Sequence, residues 1–115
     1  MPLADIQFEP LDEILVAHVQ GEIDMSNADE LGTALSGQVP PDTRALVLDL
    51  REVGYVDSSG VRLIFTLRKR LDHRGKQLRL VVESQATIAE ALRVAGVPQA
   101  IGALETVDAA VASLD

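Results

Sequence analysis

The 115-residue chain has no cysteine and no tryptophan, and aromatic residues make up 3% of it. Without cysteine there is no disulfide, no thiolate nucleophile and no cysteine-ligated zinc site. Tyr55 and the two phenylalanines read as core or rim residues rather than as a stacking platform for nucleic-acid bases. Long apolar runs are also missing. Stretches such as Ile14–Ala17 and Ala45–Leu48 fall far short of the roughly 20 residues that span a bilayer. The opening Met1-Pro2-Leu3-Ala4-Asp5 has neither a basic region nor a long apolar one. It does not read as a secretory signal, and a cytoplasmic address is the expectation. Positive charge is scarce: ten basic residues face eighteen acidic ones, for a net charge of −8. Nucleic-acid-binding domains usually carry the opposite sign. Neither nucleic acid nor a membrane is an expected partner.

The chain is 47% hydrophobic and 24% charged, too apolar to stay unfolded. Its length suits one domain over residues 1–115. Charge is blocked along it. Residues 1–61 hold Arg44 and Arg51 against twelve acids, residues 62–79 hold seven basic residues against Asp72, and residues 80–115 hold Arg93 against five acids. The basic block reads either as the solvated face of one helix and the next strand or as a patch that docks an acidic surface.

Residues 3–8 alternate weakly and 14–20 are rich in β-branched residues, with the polar Leu11-Asp12-Glu13 between them. That pattern predicts a β-hairpin. Gly21-Glu22-Ile23-Asp24 ends the second strand. Ser26 or Asn27 can then cap a helix of about ten residues with Ala28, Leu31, Ala34 and Leu35 on its apolar side. Val39-Pro40-Pro41-Asp42 breaks the chain. The continuous apolar run 45–50 suits a strand covered on both faces, ending near Leu50. Residues 58–73 give the clearest helix: Gly60, Ile64, Leu67 and Leu71 share one face, and Arg62, Thr66, Lys69 and His73 the other. Gly75 stops it. A strand over 77–82 follows, then a helix from a Ser84 cap to about Ala95, a short strand at Ala100-Ile101, and a last helix over 107–113 capped by Thr106. Strands alternating with helices imply an α/β fold: a mixed sheet of four to five strands, about four helices and an N-terminal hairpin.

The segment best suited to chemistry is Val53-Gly54-Tyr55-Val56-Asp57-Ser58-Ser59-Gly60. It sets two hydroxyls and a carboxylate where a helix begins. The first N–H groups of a helix lack intrahelical partners, and its dipole favours negative charge there. A phosphate is well tolerated at such a place, and one on Ser58 would change surface charge without rearranging the fold. The same residues are also what a plain N-cap requires. Gly21-Glu22-Ile23-Asp24 is equally readable as a turn.

A hydrolytic triad fails on spacing. His73 lies about 22 Å along the helix from Ser58, and His18 is mid-strand. There is no Gly-x-Ser-x-Gly elbow, phosphate-binding glycine loop or metal-ligand set. No catalytic residue, cofactor or metal is expected.

Four segments together carry a resemblance: Gly21-Glu22-Ile23-Asp24, Leu46-Val47-Leu48-Asp49-Leu50, Val56-Asp57-Ser58-Ser59-Gly60 and Val94-Ala95-Gly96-Val97. The chain resembles, over nearly its full length, the STAS domain in its free-standing bacterial form, the anti-sigma factor antagonists of the stage II sporulation protein AA type. The resemblance implies a non-enzymatic partner switch. In that family the first serine of Asp-Ser-Ser-Gly, here Ser58, is phosphorylated by the anti-sigma factor, a serine kinase. The unphosphorylated form binds the anti-sigma factor and frees sigma, and a metal-dependent serine phosphatase restores it. The resemblance puts the aspartate closing the Gly-Glu-Ile-Asp segment, here Asp24, on the partner-binding surface with Asp57, Ser58, Ser59 and Gly60, and gives Asp57 and Ser59 the shaping of the phosphosite. Arg68-Lys69-Arg70 is not a hallmark of the family. The alternative within it is a STAS accessory subunit of a membrane lipid-transport ATPase, which needs no phosphorylation.

Overall fold

The computed structural model describes residues 4–115. Leu3, expected to open the first strand, lies outside the described residues. The strands are β1 (Ala4–Leu11), β2 (Ile14–Ile23), β3 (Ala45–Val56), β4 (Gln77–Val81) and β5 (Ala103–Leu104). The helices are α1 (Ala28–Gly37), α2 (Ser58–His73), α3 (Thr87–Val94), α4 (Val97–Ala100) and α5 (Val107–Ala112). The sheet order is β1-β2-β3-β4-β5, with β1 antiparallel to β2 and every other pair parallel. This is the expected mixed α/β sheet with its N-terminal hairpin. The turn is tighter than expected: Leu11 pairs with Ile14, and Asp12 turns the chain at φ 55°, a region in which Asp is enriched among non-glycine residues.

The apolar run of β3 is covered on both faces, as its sequence requires. Leu46, Leu48 and Leu50 join Leu31 and Leu35 of α1, Ile64, Leu67 and Leu71 of α2, and Ile88 and Leu92 of α3 in the main core. Ala45 and Val47 join Ile14, Val16 and Val81 in a smaller core under α5. Each fully buried leucine stabilises the fold by roughly 1.5–3 kcal/mol relative to exposure.

Several local expectations are corrected. The strand expected to stop near Leu50 continues to Val56. Ser84 caps no helix: its N–H donates to Glu105 at 3.0 Å, and α3 starts at Thr87. Pro98 sits at the start of the short helix α4, where its missing N–H costs nothing, so the last strand falls at Ala103–Leu104 rather than 100–101. Thr106 does cap α5, accepting from Ala109 N–H at 3.0 Å.

The residues of the basic block divide between tertiary contacts and solvent. Buried Lys76 donates to the carbonyls of Pro40, Pro41 and Thr43 and so holds the turn before β3. Arg70 and Arg74 reach Ser36 at the end of α1, Arg68 pairs with Asp72, and Arg79 binds Ser113. Arg62, Lys69, Arg70 and Arg74 are all exposed.

Candidate functional site

β2 and β3 are parallel neighbours whose last residues, Ile23 and Val56, are register partners. The chain therefore leaves both strands at the same end of the sheet, and Asp24 and Asp57 follow side by side. Asp57 N–H donates to the Ile23 carbonyl at 3.3 Å, which ties the two exits together.

The ladder shifts register between His18 and Gln20 and again between Gly21 and Glu22, and at each shift β3 contains one residue more than β2. The inserted residues change the periodicity of β3. Leu50, Val53 and Val56 are buried, three apart, where a regular strand would bury every second residue. At the first shift the Asp49 carboxylate accepts the Arg51 N–H at 3.1 Å.

The start of α2 is built by two residues. Asp57 is the N-cap, and its Oδ1 accepts from Ser59 N–H at 2.8 Å and Gly60 N–H at 3.2 Å. The N–H groups expected to lie open are thus already satisfied by this carboxylate. Gly60 is buried, and a Cβ there would stand 2.7 Å from Val56 Cγ1 and 3.1 Å from Ile23 Cγ2. Glycine lets the helix sit directly on the ends of both strands.

Ser58, the first residue of α2, is exposed, and Ser59 is half-buried. A hydroxyl thus projects into solvent from a backbone fixed on both sides.

Asp24 shapes the other loop. Its carbonyl accepts from Asn27 N–H at 3.2 Å and Ala28 N–H at 2.9 Å, and its Oδ1 accepts from Ser26 N–H at 2.8 Å and Ser26 Oγ at 2.5 Å. Neither Ser26 nor Asn27 caps α1 through its side chain, contrary to the expectation. The buried Asn27 amide instead bridges backward: Oδ1 accepts from Asp24 N–H at 3.0 Å and Nδ2 donates to the Glu22 carbonyl at 2.8 Å. The side chain thus ties together two backbone groups at the strand end.

Sequence reasoning missed three further features. Asn27 is one. Met25 is another, a large apolar side chain left 82% exposed. The third is a groove of about 310 Å³ between α1 and α2, lined by Met25, Asp29, Ser59, Arg62, Thr66 and Arg70. At its floor Gly32 meets Leu63, whose Cδ1 would lie 2.8 Å from any Cβ at position 32. Ser59, Arg62, Thr66 and Arg70 recur at three- and four-residue intervals along one face of α2, and that spacing was the available signal. Among the described residues no group of His, Asp or Glu is arranged to hold a metal ion, and no helix is long and apolar enough to cross a membrane.

The comparisons with known proteins agree with this geometry. A protein named as an anti-sigma factor antagonist, BtrV of Bordetella bronchiseptica, is 29% identical over 91 residues, which cover 79% of this chain and 78% of that protein. The crystal structure of an anti-sigma factor antagonist from Mycobacterium paratuberculosis superposes with a TM-score of 0.80 at 26% identity, covering 96% of this chain and 92% of that one. SpoIIAA in its unphosphorylated form shares the fold, with a TM-score of 0.74 at 19% identity and 93% of each chain covered. The family model for the STAS domain matches residues 5–112, and the chain belongs to the STAS domain family.

Proposed function

We propose that this chain is an anti-sigma factor antagonist controlled by phosphorylation of Ser58. Residues 1–115 act as one STAS domain in the cytoplasm. The unmodified form binds an anti-sigma factor that is itself a serine kinase, and sigma is released. The kinase transfers the γ-phosphoryl of ATP to Ser58 Oγ: the O–P bond forms, ADP leaves, and the hydroxyl proton passes to a kinase base. A metal-dependent serine phosphatase uses water to return the hydroxyl and release phosphate.

The observation that carries this reading is the exposed hydroxyl of Ser58 on a rigidly anchored helix start. Ser58 is accessible to an enzyme, while Asp57 and Gly60 fix everything around it. A dianion added there has no buried site to disrupt. It meets the Asp57 carboxylate at close range, and because Asp57 already occupies the Ser59 and Gly60 N–H groups, the phosphate stays outward. The switch therefore acts by bulk and charge on the partner's surface, with the fold unchanged. Asp24, Asp57, Ser58 and Ser59 form the polar part of the binding surface. Met25 supplies its apolar anchor, and Gly60 supports it from beneath. The relatives named as anti-sigma factor antagonists support the same partner class.

The test is affinity purification of wild type and Ser58→Ala from the source cells, with mass spectrometry of bait and partner. Wild type carries one phosphoryl group on Ser58 in part of the population, and Ser58→Ala carries none while retaining more of a kinase-like partner. Equal labelling of Ser58→Ala defeats the assignment. A chain that never carries phosphate and arrives with subunits of a membrane ATPase is instead an accessory subunit.

A further inference from the structure

The face of the sheet opposite α1, α2 and α3 carries a polar cluster that the partner switch does not use. His18 lies on the middle strand of three. Its Nδ1 is 2.7 Å from Asp49 Oδ2 on β3, and its Nε2 is 2.8 Å from Glu9 Oε1 on β1. Asp49 is 5% exposed and nearly saturated: Oδ1 accepts from Arg51 N–H and Nε, and Oδ2 accepts from Arg51 Nη2 and faces the His18 ring. Ionised carboxylates only accept hydrogen bonds, and a neutral imidazole has a single N–H. Both contacts of His18 can be hydrogen bonds only when the ring carries two protons.

We propose that His18 is a proton-dependent staple that fastens the edge strand β1 to β3 across β2. Protonated, the ring donates to Glu9 and to Asp49. Deprotonated, it keeps one N–H. That proton stays with Asp49, which is buried and fixed by Arg51, and the lone pair then faces Glu9, whose side chain is half exposed and free to swing into water. The charged groups around the ring support this order. β1 presents Asp5, Gln7 and Glu9 on this face, β2 presents Gln20, and β3 presents Asp49 and Arg51. Glu52 and Glu83 act on Arg51. From α5 the residues packed on this side are apolar, Val107, Ala110 and Val111, and bring no charge. Glu9 and Asp49 favour the cationic form of His18, and together they outweigh the partial burial that opposes it.

What the staple gates is the edge of the sheet. Among the described residues β1 has β2 as its only strand partner, and its Ile6 and Phe8 are partly buried against the core. Strand ends and edges open before the global fold does. The Glu9 contact is a side-chain tie that holds β1 beyond its own ladder, and it exists on the acid side of the His18 titration only.

The experiment needs no partner, so its outcome is independent of the Ser58 reading. The His18 ring is titrated by NMR in wild type and in Glu9→Gln, and main-chain amide exchange in β1 and β4 is followed across the same pH range. Exchange rates are corrected for base catalysis. The expected result is a wild-type midpoint above 6.5 that falls in Glu9→Gln, with β1 protection dropping several-fold relative to β4 as pH passes that midpoint. His18→Gln, which cannot titrate, then shows a β1-to-β4 ratio that is flat with pH. Glu9→Gln is a surface change that keeps an acceptor, so it reports even if His18→Gln folds poorly. A midpoint at or below 6.5, a midpoint indifferent to Glu9, or a β1-to-β4 ratio constant with pH in wild type overturns the proposal.

Discussion

Gly60 stands against Val56 so closely that a single added carbon would lie 2.7 Å from the valine Cγ1. The obstacle is a buried β-branched side chain at the strand end, with little freedom to move, and Ile23 closes the other side at 3.1 Å. The helix start that presents Ser58 is therefore seated on the sheet by the absence of a side chain. Gly60→Ala is expected to destabilise the protein by about 1–3 kcal/mol through overpacking, more than offsetting the helical preference of alanine. Chemical denaturation reads that loss. Because the strain falls at the foot of α2, partner affinity falls as well, even where most of the protein remains folded.

The cap at Asp57 separates two jobs that coincide in sequence. Its carboxylate satisfies the N–H groups of Ser59 and Gly60, and its charge sits beside the hydroxyl of Ser58. Asp57→Asn keeps an accepting oxygen and removes the charge; Asp57→Ala removes both. Stability is expected to change little in Asp57→Asn and to fall by about 1 kcal/mol in Asp57→Ala. Thermal unfolding of the two variants side by side checks this. Equal losses would mean that charge at the helix start, rather than the hydrogen bonds, is the main stabilising effect.

The sequence was most readable where one periodicity ran unbroken. α2 shows it best: its apolar residues repeat cleanly over 58–73, and the helix covers those residues. β3 was readable only to Leu50, because beyond it the two register shifts replace alternation with burial at every third residue. Arg51-Glu52-Val53-Gly54-Tyr55 thus reads as a loop although it is strand. The position of Ser58 at a helix start was legible from the polar Asp57-Ser58-Ser59 just before the apolar repeat that begins at Gly60. The exit of β2 was not, since Asn27 bonds to Glu22 and Asp24 rather than to the helix that follows. A cap and a backward bridge use the same residue type, and only the fold decides between them. Within the basic block one role was not legible: Lys76 buries its ammonium among three carbonyls that the sequence does not mark as a site.

Asn27 gives a prediction of its own. It is 3% exposed and serves Glu22 O and Asp24 N–H at once. Asn27→Ala removes both of these hydrogen bonds and is expected to cost about 1–3 kcal/mol. Asn27→Asp restores the acceptor for Asp24 N–H but not the donor for Glu22 O, and places a charge in a buried position. It is expected to be at least as destabilising near neutral pH and to recover as the carboxyl is protonated. Denaturation midpoints of both variants at two pH values test the pair.

Met25 makes the sharpest separation between fold and function. It is 82% exposed, so it contributes little to the core, yet it lines the α1–α2 groove with Ser59 and Arg62. A large apolar side chain held out in water beside the proposed phosphosite is what an interface anchor requires, and such anchors carry most of the binding energy. Met25→Ala is therefore expected to leave the unfolding midpoint within about 0.5 kcal/mol of wild type. Affinity for the anti-sigma partner is expected to fall roughly tenfold, about 1.4 kcal/mol. Arg62→Ala, removing an exposed charge from the same groove, is expected to slow association and flatten its salt dependence with a smaller effect on dissociation. Calorimetry and stopped-flow binding with the unphosphorylated protein give both readings. If Met25→Ala binds as wild type does, the apolar anchor lies elsewhere on the surface, and the groove beside Ser58 is a bystander to docking.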